Sequence, residues 1–129
     1  MMWLHDLAYF FGGVFLAHAV WQHDLAYFFG GAFLANAVPH YVSGMMGRSF
    51  QSPFAKPPGK GLSSSTVNVL WGFANLAVSY CLILRVGQFD LRATDQVASL
   101  GLGLLLMGVV SARTFGRFHG GNSPVGSQS

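Results

Sequence analysis

The stretch TVNVLWGFANLAVSYCLILRV, Thr66 to Val86, carries no charge before Arg85, and its reading decides the fold. At 1.5 Å per residue a helix of this length reaches about 30 Å, the thickness of a bilayer's hydrocarbon core. Ser63, Ser64, Ser65 and Thr66 stand at its start, where hydroxyls can accept from first-turn N–H groups that have no intrahelical acceptor. Asn68, Gly72, Asn75 and Ser79 follow the i, i+4, i+7, i+11 spacing and so share one narrow face. An amide left facing hydrocarbon is costly, so this face is predicted to turn inward against other helices.

Working outward, Gly87 to Arg92 reads as a turn, and Thr94 with Asp95 opens a helix through LGLGLLLMGVV to about Phe118. Its small residues, Thr94, Ala98, Gly101, Gly108 and Ala112, are predicted to form its inward stripe, because small side chains let helices approach closely in lipid. On the N-terminal side, RSFQSPFAKPPGKGL, Arg48 to Leu62, has three prolines and three cations and can only be a loop. Before it lies an apolar segment with its own stripe of Ala32, Asn36, His40 and Ser43. The prediction is an all-α integral membrane bundle of three transmembrane helices, at residues 25–45, 66–86 and 95–117, followed by a disordered tail at 119–129.

Composition agrees with a membrane chain. Of 129 residues 52% are hydrophobic and only 9% charged, too few to cover a soluble globule. The net charge of +3 comes from seven cations scattered over three regions, with no basic stripe interleaved with aromatics, which argues against nucleic acid. Cys81, the single cysteine, excludes an intrachain disulfide; within its apolar run it is expected to be buried and inert.

A repeat precedes the first span. HDLAYFFGG at His5 to Gly13 recurs at His23 to Gly31, and VFLAHAV at Val14 to Val20 is echoed by AFLANAV at Ala32 to Val38. The 18-residue offset is five helical turns, so on one helix both copies would present the same faces about 27 Å apart. Gln22, His23 and Asp24 could break the helix, but no Gly or Pro sits there, which favours a continuous elongated first helix with a kink at Pro39. Residues 1–22 then form a duplicated helical segment, and the second copy is read as the original. Ala17-His18-Ala19 resembles a signal-peptide cleavage site, but the segment before it holds Asp6 and no Lys or Arg, which counts against cleavage.

Arg48, Lys56 and Lys60 lie in the first loop and Arg113 and Arg117 end the third span, against Arg85 and Arg92 at the second turn. The positive-inside rule puts the loop and the C-terminus in the cytoplasm and the N-terminus outside. Arg48, Lys56 and Lys60 are expected to contact anionic lipid headgroups, at about 1 kcal/mol each.

Catalytic chemistry finds little purchase. His18 and His40 would be about 33 Å apart along a helix and His5 and His23 about 27 Å, too far to share a metal ion. PPGKGLSSS lacks the Ser or Thr directly after Lys60 that a phosphate loop requires, and Ser63 to Ser65 have no nearby His or Asp. No enzyme activity, metal or cofactor is expected. Asn36, His40, Asn68, Gly72, Asn75, Ser79, Gly101 and Gly108 read as helix-packing groups of a small structural or accessory subunit, in a homo-oligomer or a larger complex. The alternative is a small transporter or channel with those residues along a polar path.

The runs AYFFGGAFLANAVPHYVSG, QSPFAKPPGKGLSSSTVNVLWGF and FGRFHGGN together resemble a group of small bacterial inner-membrane proteins, over about Asp24 to Asn122. The resemblance implies a bacterial plasma membrane and no known activity. The first copy of the repeat departs from that pattern.

Overall fold

The computed structural model describes residues 2–125. It is a helical bundle ordered around one long element, α1, which runs unbroken from Met2 to Met45 through Pro39. A two-residue antiparallel pair, β1 (Phe50–Gln51) with β2 (Leu62–Ser63), ties off the loop that follows. Helix α2, Ser65–Tyr80, starts where Ser64 Oγ accepts from the Val67 N–H at 3.2 Å, and a π-helical turn, Cys81–Val86, extends it. Helix α3 spans Thr94–His119. Asp95 lies in its first turn and Arg117 and His119 in its last, where each charge complements the helix dipole.

Helix α1 is the centre of the bundle: it packs along α2 on one side and α3 on the other. Among the described residues only Ser65–Val86 and Thr94–His119 are long and apolar enough to cross a membrane, so two helices meet that criterion and not the three the sequence suggested. The reason lies in position. A helix packed on both sides can carry Asn36, Pro39, His40 and paired glycines, which lower its apolar content, because neighbouring helices cover them.

The α1–α3 crossing is built on glycine. A side chain at Gly31 would strike the Leu100 carbonyl, and one at Gly103 would strike the Phe28 carbonyl, so each backbone lies directly on the other. The predicted stripe on α3 is corrected here. Its buried glycines are Gly103 and Gly116, whereas Gly101 and Gly108 have open space above them and Gly108 is exposed. Gly101 and Gly103 point about 200° apart on a helix, so only one of them can meet α1. Cys81 is likewise exposed rather than buried, because it stands two residues past the inward Ser79 and so faces away from it.

The C-terminus departs from expectation as well. Gly120 adopts the left-handed conformation (φ +81°) that ends α3, and Asn122 Nδ2 reaches back to the Arg113 carbonyl at 2.9 Å. The expected tail therefore begins with a capped turn, and residues 126–129 lie outside the described residues.

Candidate functional site

The buried residues of α2 are Asn68, Gly72, Asn75 and Ser79, and each meets α1. At one end Ser79 Oγ donates to the Gly30 carbonyl at 2.7 Å. In the middle Asn36 Nδ2 donates to Asn75 Oδ1 at 3.0 Å, and Asn75 Nδ2 donates to the Trp71 carbonyl at 2.8 Å. Gly72 lets the helices close, since a side chain there would lie 2.7 Å from the Tyr41 backbone nitrogen. At the opposite end, next to the loop, His40 Nδ1 and Asn68 Oδ1 are 2.9 Å apart. Asn68 Nδ2 donates to the Phe50, Ser63 and Ser64 carbonyls at 3.1, 3.2 and 3.0 Å, which fixes the orientation of its amide.

These bonds run along the α1–α2 seam as successive rungs, and each rung closes within the chain. Interhelical bonds of this kind contribute about 0.6 to 2 kcal/mol each in membrane proteins. The seam therefore supplies both cohesion and register, because sliding α2 by one turn would break every rung together.

Beyond the last rung the loop closes the bundle. The His40 ring stands edge-on to Phe50, Trp71 and Phe115, with centroids 5.4, 6.4 and 5.8 Å away. The Phe50 ring stacks on His119 at 5.1 Å, and His119 Nε2 bonds Gln51 Oε1 at 2.8 Å, so the end of α3 clamps β1 against α1. Between them lies a cavity of about 150 Å³ whose walls include Asn36, His40, Gln51, Ser52, Trp71 and Thr114. Gln51, Ser52, Trp71, Thr114 and His119 were not legible as site residues. Gln51 and His119 are 68 positions apart, and no local pattern joins them.

Among the described residues no three His, Cys, Asp or Glu side chains come together as a metal site. Arg48, Lys56 and Lys60 are exposed on the loop. At the other end of the bundle the Asp24 carboxyl faces the charge of Asp95 of α3 while its Oδ1 is shut off without a partner. Burial, then the charge of Asp95, raise the Asp24 carboxyl above its usual pKa, against a smaller opposing effect of His23.

A search among known proteins leaves the reading to the geometry: no family model, no curated protein and no solved structure matches the chain.

Proposed function

We propose that this chain is a multi-pass protein of the bacterial inner membrane that acts as a small structural or accessory subunit through helix packing. The observation that carries the reading is the closed seam: Ser79, Asn75, Asn36, His40 and Asn68 all find partners inside the chain. A conducting path needs polar atoms left free to exchange partners with a solute, whereas packing groups are satisfied by one another. This favours the subunit over the transporter or channel.

The membrane part of the proposal draws support from where the apolar surface lies. Only 22% of the apolar window of Ser65–Val86 and 6% of that of Thr94–His119 is buried inside the chain. The core helix of a soluble protein would show the reverse, and Leu102, Leu105, Leu106, Val109 and Val110 on α3 stand 48 to 63% exposed. Acyl chains would cover this surface and the apolar groove of about 510 Å³ between Phe28, Phe33, Leu106, Met107 and Val110. Cation placement then puts the loop and the C-terminus in the cytoplasm, with Arg48, Lys56 and Lys60 at lipid headgroups.

The test is to purify the full chain from membranes in mild detergent, measure the protein mass of the particle, and assay solute flux in proteoliposomes. The expected result is a discrete particle heavier than one 13.9 kDa chain, with no flux. A monomer that carries a saturable flux would overturn the proposal.

A further inference from the structure

The cavity at the His40 end of the seam is walled by polar groups that each hold one partner and keep a further atom uncommitted. His40 and Gln51, which line it, are only 3% and 4% exposed. Because Asn68 commits its amide hydrogens to three backbone carbonyls, its Oδ1 accepts, and His40 Nδ1 must be the donor. In the neutral imidazole this leaves Nε2 as a lone-pair acceptor. Among the described residues the sealed side-chain polar atoms without a partner are Asp24 Oδ1 and Trp71 Nε1; His40 Nε2 is not one of them, and His40 lines the cavity. Gln51 Oε1 holds His119, which leaves the Gln51 N–H groups free to donate. Asn36 Nδ2 holds Asn75, which leaves Asn36 Oδ1 free to accept.

We propose that this cavity binds a vicinal diol, the glycerol unit. Two hydroxyls on adjacent carbons donate to His40 Nε2 and Asn36 Oδ1, and either one accepts from the Gln51 amide, because a hydroxyl rotates to do both. A cavity of about 150 Å³ holds about five waters at roughly 30 Å³ each, room for the six heavy atoms of glycerol. No Lys, Arg, Asp or Glu lines the walls, so the interior suits a neutral group. Outside, Lys60 follows the wall residue Gly59, and Lys56 stands exposed in the same loop, where each can meet a phosphate. The same chemistry is offered by free glycerol and by the glycerol headgroup of an anionic lipid. The second source rests on the membrane reading; the first does not.

The experiment follows the thermal midpoint of the full chain in detergent with 1,2-propanediol and with its 1,3 isomer. The two share composition and differ in whether the hydroxyls are adjacent, which cancels general cosolvent stabilisation. A saturable rise of several degrees with the 1,2 isomer beyond the 1,3 isomer is expected, and it should vanish in Thr114→Phe, which plugs the cavity and leaves the His40–Asn68 pair intact. Gln51→Leu serves as a second variant should Thr114→Phe fail to fold. Phosphatidylglycerol is then compared with phosphatidylserine at equal charge: a larger rise with the former assigns the site to a lipid, and equal rises assign it to the free diol. Equal effects of the two propanediols, or a 1,2 preference that survives both variants, would overturn the proposal.

Discussion

His5 to Gly13 and His23 to Gly31 share one sequence on one helix, yet Tyr9 is 75% exposed where Tyr27 is 1%. Tyr27 packs against Gly87 and meets Phe89 edge-on at 5.4 Å, whereas Tyr9 has the His5 ring at 5.9 Å on its own helix. Gly31 lies on the Leu100 carbonyl, and Gly13 has nothing near it. The difference is one of reach. Helix α2 begins where Ser65 meets Gly44, and its π-helical extension ends where Gly87 meets Tyr27, so the returning chain runs out at the second copy. A helical surface able to pack is written in both copies, and connectivity decides which of them has a partner.

The sharpest way to break this comparison is to add bulk at equivalent glycines. Gly31→Leu should abolish the folded bundle, because the new side chain meets Leu100 backbone that cannot retreat without parting α1 from α3. Gly13→Leu should leave the detergent melting midpoint unchanged. Equal damage from both substitutions would mean that the first copy is packed too.

Truncation of the paired tyrosines comes next in size. Tyr27→Ala should cost about 3 to 5 kcal/mol, as expected for a large buried ring, and Tyr9→Ala should lie within about 0.5 kcal/mol of no change. Chemical unfolding in mixed micelles would read the gap.

The same comparison extends to acidity through Asp24 and Asp6, which occupy matching places in the two copies. The fold raises the Asp24 pKa above the unfolded value of 3.8, so it favours the protonated carboxyl. The stability this provides is fully present below the unfolded pKa and is lost as pH rises through the raised one. Melting midpoints should therefore fall over that window. Asp24→Asn should flatten the decline, and Asp6→Asn, at an exposed position, should not. A decline of the same shape in both variants would place the responsible group elsewhere.

The repeat also marks how far the sequence alone can be read. Period placed Asn68, Gly72, Asn75 and Ser79 on one face, because amides in an apolar run need partners and small residues at the same helical spacing let a neighbouring helix supply them. Which rung each one makes was not legible, since Asn36 and Asn75 are 39 positions apart and Gly30 and Ser79 are 49. Identical sequence could not say that Tyr27 is buried and Tyr9 is not. On α3, glycines at 101, 103 and 108 offered two candidate faces, and only the Phe28 backbone selects Gly103. The cavity was beyond reach for the same reason: its walls come from α1, β1, α2 and α3 together.

The central claim is that the polar groups of the seam serve helix packing, and a double-mutant cycle on Asn36 and Asn75 tests it most directly. Asn36→Ala, Asn75→Ala and the double variant would be unfolded in the same micelles, with flux measured in proteoliposomes. A packing role predicts a coupling of about 0.6 to 2 kcal/mol between the two amides and no change in flux. Additive effects on stability, together with loss of a flux that the unaltered chain supports, would contradict it and point to a path instead.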